Sequence, residues 1–154
     1  MSLLLAFLIG FLAGLRSLTP PAAIAWAAQV GWLKLKGPLA IMDSVFTVAI
    51  FSVLALGELA ADKWAKIPNR TSVAPLITRI LTGGLTGACV AAGFGENVLL
   101  GAALGAIGGV AGAFGGYHAR KRLVQALRVP DFTIALLEDL VVIVGCVLIV
   151  FQFA

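Results

Sequence analysis

Charge is scarce in this chain: Asp, Glu, Lys and Arg make up 12% of its 154 residues, about half the share of an ordinary soluble domain, near 25%. A soluble domain of this size would lack the polar groups to wet its surface. Histidine occurs once, at His118, and cysteine twice, at Cys89 and Cys146, both inside apolar runs. Neither a disulfide framework nor a Cys-rich metal site follows from that usage, and no metal is assigned. Enzyme signatures are missing as well: there is no GxSxG, no HExxH, and no lysine placed after a glycine loop to hold phosphate. Ser17 or Ser52 as the nucleophile of an intramembrane hydrolase would need a base that the sequence does not offer. The chain is therefore read as no enzyme, with no cofactor. Its net charge of +4, from 11 basic against 7 acidic residues, sits in short gaps between apolar runs. That is loop charge and not a nucleic-acid surface.

What is present is apolar bulk, 61% of residues at a mean hydropathy of +1.08. The run GAALGAIGGVAGAFGG from Gly101 to Gly116 holds seven glycines and five alanines. In water each glycine would weaken a helix by about 1 kcal/mol relative to alanine. In lipid, where backbone groups must bond within their own segment, small residues at four-residue spacing instead let helix backbones approach closely. The class is thus all-α and polytopic membrane, a single transmembrane domain over 1–154.

At about 20 residues per crossing, apolar segments near 3–18, 39–60, 76–94, 98–117 and 132–153 predict about five spans. The opening MSLLLAFLIGFLAGL lacks a basic start and runs into Arg16 and Thr19-Pro20-Pro21 instead of a small-residue cleavage site. It is read as a first helix broken by its diproline. Residues 22–33 then form an interfacial or re-entrant half-helix, with one long kinked helix over 3–33 as the alternative. The basic segment 118–129 is a second candidate for the interface. Lys63, Lys66, Arg70 and Arg79, and Arg120, Lys121, Arg122 and Arg128, fall in two gaps on one side of a five-span chain. The positive-inside rule places that side in the cytoplasm of a bacterial inner membrane, with the N-terminus inside and the C-terminus outside. The echo of Phe46-Thr47-Val48-Ala49-Ile50 in Phe132-Thr133-Ile134-Ala135-Leu136 suggests repeat units 1–62 and 98–154 linked by the span at 76–94, in the inverted arrangement common among transporters.

Ionisable residues within spans carry the functional signal, since each costs about 2.5–3.5 kcal/mol at a helix centre. Glu58, Glu138 and Asp139 are placed on the inner side, facing one another around an ion or solute, with Asp62 and Arg79 in support. The competing structural reading pairs Arg79 with a carboxylate. Arg16 and Thr19 beside the helix break are placed on the outer side, where Arg16 holds an anion, caps the helix or pairs with Asp43. Gly83, Gly87, Gly101, Gly105, Gly109, Gly112 and Gly116 line helix faces for close packing, within the chain or across a dimer. The resulting expectation is a small transporter or channel for an ion or small solute, in the lipid bilayer and forming a homo-oligomer. A scaffold or lipid-interacting protein is the alternative.

The ordered set GLRSLTPPAAIAWAA at 14–28, ELAADK at 58–63, PNRT at 68–71, the glycine run, and PD followed by ALLEDL at 130–140 resembles the bacterial integral membrane family labelled domain of unknown function 4126. The likeness spans nearly the whole chain. It implies a small multi-span inner-membrane protein and no catalytic residue. The family's recurring polar positions correspond here to Arg16, Thr19, Pro20, Glu58, Asp62, Arg70, Thr71, Asp131, Glu138 and Asp139.

Overall fold

A computed structural model describes residues 1–64 and 72–154, with side chains described outside 61–71. The side chains of Asp62 and Lys63, and all of Lys66, Arg70 and Thr71, therefore lie outside the described residues. The described chain is helical throughout: α1 Ser2–Leu15, α2 Thr19–Gln29, a 3-10 turn Gly37–Asp43, α3 Val45–Trp64, α4 Val73–Gly93, α5 Val98–Leu127, α6 Asp131–Val150 and a closing 3-10 turn Phe151–Phe153.

The first helix ends at Arg16, whose backbone is extended (φ −134°, ψ 115°). Pro20 and Pro21 then fall in the first turn of α2, where an absent amide removes no helical bond. The α4–α5 corner turns at Gly95, at φ 72°, and Asn97 caps α5 by accepting from the amides of Leu99 (3.0 Å) and Leu100 (3.2 Å).

Local contacts show where the broken segment goes. Ser2 Oγ donates to Glu96 at 2.9 Å, and Met1 and Leu5 share a crevice with Phe94 and Gln152. From that end α1 runs beside α5 in the same direction, Gly10 against Gly105 and Gly14 against Gly109 and Gly112. After the break α2 comes back: Trp32 meets Phe151 edge-on at 5.9 Å, and Leu33 lies over Gly93 near Phe153. Helices α1 and α2 thus form a hairpin with both ends at one end of the bundle. The 14 residues of α1 reach about 21 Å at 1.5 Å per residue, less than the thickness of a hydrocarbon layer, about 30 Å.

Four expectations are not met. Helices α4, α5 and the stretch Asp131–Phe153 are long and apolar enough to cross a membrane, and Gly37–Asp43 with Val45–Ala60, bent by 66°, makes a fourth where the bent pair counts as one span; α1 turns back and does not add a fifth. Met1 and Gln152 consequently sit at the same end and not on opposite faces. Residues 118–127 continue α5 instead of forming a separate interfacial helix, because Lys, Arg, Leu and Gln are good helix formers with nothing to break them. The parallel course of α1 and α5 also gives the inverted repeat no support, since that relation requires opposite directions.

The glycine stripe is used within the chain. A Cβ on Gly83 would stand 2.6 Å from the Gly105 carbonyl oxygen, one on Gly87 2.8 Å from Gly105 Cα, and one on Gly14 2.6 Å from the Ala113 amide. Each obstacle is backbone, which cannot swing aside. Gly101, Gly105, Gly109, Gly112 and Gly116 are all buried on α5, so α5 serves as a central post clasped by α1 and α4. Gly83→Ala is expected to lower the unfolding free energy in detergent by about 1–3 kcal/mol through overpacking, whereas Gly57→Ala, with nothing within 4 Å of its new methyl, leaves the melting temperature unchanged or raised. Equal melting of the two variants would contradict this packing.

Candidate functional site

Breaking a helix inside hydrocarbon exposes amides and carbonyls that water cannot reach, and each unsatisfied group costs several kcal/mol. The hairpin tip shows how this chain meets that cost. Arg16 N closes onto the Leu12 carbonyl at 2.9 Å, and Ala22 N onto that of Leu18 at 3.2 Å. The diproline removes two donors from the start of α2. The amides of Ser17 and Leu18 point out of the break, and the Glu58 carboxylate takes both, Oε1 from Ser17 N and Oε2 from Leu18 N, each at 2.9 Å. A carboxylate on two successive amides at a helix start is favoured by both hydrogen bonding and the helix dipole.

The Arg16 side chain, 1% exposed, forms an ion pair with Asp139 of α6, itself 7% exposed. Arg79 is buried on α4, with its carbonyl against Gly109. Thr19 opens α2, and its enclosed hydroxyl finds no hydrogen-bond partner among the described residues. Further from the break, Trp26 Nε1 donates to Ser52 Oγ at 3.0 Å, tying the return arm to α3.

Asp139 lies eight residues after the start of α6 at Asp131, a depth of about 12 Å. Arg16, Glu58 and Asp139 therefore form one layer around the hairpin tip, where the sequence placed Arg16 and Glu58 on opposite sides. The outward placement assumed that α1 crosses; the hairpin brings its far end to the acidic residues instead. Glu138, one residue from Asp139, turns to the α5–α6 corner, where Arg120 Nη1 approaches it at 3.6 Å. Arg120 also grips Asp131 with two bonds, of 2.8 and 2.5 Å. Among the described residues Glu58, Glu138 and Asp139 thus each meet a different partner. Asp43 is exposed at the end of its 3-10 turn, and Arg16 pairs with Asp139. The supporting position Asp62 lies outside the described side chains.

Sequence reasoning missed that Glu58 caps α2. The available signal was the count of free amides that a diproline-broken helix must leave. Among the described residues no group of three or more His, Cys, Asp or Glu could hold a metal ion. His118 is exposed, its Nδ1 3.0 Å from the Phe114 carbonyl of its own helix.

A family model described as Domain of unknown function (DUF4126) matches residues 3–152. No curated protein and no solved structure matches the chain.

Removing one member of a buried ion pair strands the other charge, at about 3–5 kcal/mol, whereas replacing both by apolar groups of similar volume is often near neutral. Arg16→Met and Asp139→Leu are each expected to destabilise the protein by that amount, and the double variant by less than either. Additive losses, measured by unfolding in detergent, would show that the two side chains do not depend on each other.

Proposed function

The chain belongs to the DUF4126 family, which brings no activity with it, and from the polar layer at the hairpin tip we propose a small inner-membrane transporter or channel for an ion or small solute. The observation that carries this reading is a hairpin that stops partway and ends in charge. Half-helices that meet inside the bilayer present amides, carbonyls and ionisable side chains to a solute at a depth that continuous helices keep apolar. Arg16, Thr19, Glu58 and Asp139 would be the groups a solute meets, with Glu138, Asp62 and Arg79 beside the path. In the conformation described, Glu58 and Asp139 hold internal partners, so passage would require those partners to exchange for the solute. One chain supplies few helices for an enclosed route, and a homo-oligomer would supply more wall.

The same internal pairing favours a second reading, a scaffold or lipid-interacting protein in which the layer merely closes the break. Lys121 and Arg122, exposed on the last part of α5, and Arg128 just after its end suit anionic headgroups at the cytoplasmic leaflet. On either reading the positive-inside rule orients that end toward the cytoplasm, with Met1 and Gln152 toward the outside.

Flux of a panel of inorganic ions and small solutes into proteoliposomes tests the choice. Transport predicts uptake above protein-free vesicles for at least one solute, changed about tenfold by Glu58→Gln, equivalent to ~1.4 kcal/mol on the limiting barrier. Folded protein without uptake of any solute would leave the scaffold reading. Uptake indifferent to both Glu58→Gln and Asp139→Asn would retain transport and remove these residues from its path.

A further inference from the structure

The two arms of the hairpin are held differently. Helix α1 is locked by backbone contact with α5, Gly10 on Gly105 and Gly14 on Gly112, and a seam of that kind has no side chain to let go. Helix α2 packs on α3, α6 and α4 with an alanine-rich sequence, TPPAAIAWAAQ. Its described polar ties to α3 are the exposed Trp26–Ser52 bond and, at the break, the two bonds from the Ser17 and Leu18 amides to Glu58. The titratable and charged groups on the elements around this corner are Arg16 at the break, Asp139 of α6 that pairs with it, Asp131, Glu138 and Cys146 elsewhere on α6, buried Arg79 and Cys89 on α4, and, by sequence, Asp62 and Lys63 about one turn further along α3. Residues Thr19 to Gln29 carry none.

We propose that Glu58 is a proton-released latch, holding the start of α2 against α3 while ionised and letting the return arm move relative to α1 when protonated. Both bonds that close the latch end on one carboxylate, so a single proton weakens both at once. A charged acceptor binds an amide about twice as strongly as a neutral one. Closure is complete while the carboxylate is ionised and is lost when it takes a proton, because the protonated group accepts from the Ser17 and Leu18 amides only as a neutral acid. The hinge is the extended residue Arg16, whose pairing with Asp139 holds the α1 side of the break in place. This inference does not require that the protein transport anything.

The test uses full-length protein in nanodiscs with Ser17→Cys, a substitution that keeps the amide and introduces a thiol at a buried position, 6% exposed. Labelling at position 17 by a dithiodipyridine reagent is read by peptide mass spectrometry and normalised to unfolded protein at each pH. With Glu58 present, protection is expected to hold from about pH 7 to about pH 5 and to fall by about tenfold or more by about pH 3.5, across the range in which glutamate carboxylates ordinarily take up a proton, from the weakening of two charge-assisted bonds. In Ser17→Cys with Glu58→Gln, protection is expected to be low and independent of pH. A flat profile with Glu58 present overturns the proposal without any variant at position 58. So does a Glu58→Gln protein that keeps the full pH dependence. Neither readout involves flux, so failure here and failure of transport are separable.

Discussion

A helix interrupted within hydrocarbon must find partners for its freed amides, and the rest of this structure is arranged around that requirement. Ser17 and Leu18 supply the amides, Glu58 accepts both, and the adjacent Arg16 is neutralised by Asp139. The four helices that enter the layer are thereby fixed in relative depth, because each contributes a group that has its partner at one level only. Of the acidic residues that looked like an open binding site, Glu58 in this conformation takes the amides of the broken backbone and Asp139 the charge beside them.

The glycine seam makes the arrangement possible. Backbone contact between α1 and α5, and between α4 and α5, puts the hairpin tip deep enough for Arg16 to reach α6. Larger residues would push α1 outward and leave the guanidinium without its carboxylate. Packing and electrostatics are in this way one device: close approach sets the register, and the register makes the charges affordable. The asymmetry between a seam-locked α1 and a carboxylate-tied α2 gives the hairpin one fixed arm and one whose hold depends on ionisation.

Much of the architecture was legible in the residues. The apolar segments near 76–94 and 132–153 correspond to α4 and α6, the glycines every three to four residues announced close packing, and the diproline marked the break. The direction of the chain after the break was not legible. Hydropathy records length and polarity, and an apolar segment that turns back reads the same as one that continues. From that one ambiguity came the span count, the placement of Met1 opposite Gln152, and the separation of Arg16 from Glu58. The polar positions themselves were visible because charge among apolar residues is conspicuous. Their partners were not: Arg16 with Asp139 joins residues distant in sequence on helices whose alignment only the folded packing decides. The continuation of α5 beyond His118 was misread because basic residues suggested an interface, while their helix propensity carried the segment straight on.

The hairpin itself is the claim on which everything rests, and one topology measurement reaches it most directly. Single cysteines placed by Ser2→Cys, Lys34→Cys and Arg122→Cys, labelled with a membrane-impermeant reagent in sealed vesicles of known sidedness, should react from one side at positions 2 and 34 and from the other at position 122. Reaction of positions 2 and 34 from opposite sides would mean that the first segment crosses the bilayer, and the account of the layer at its tip would fall with it.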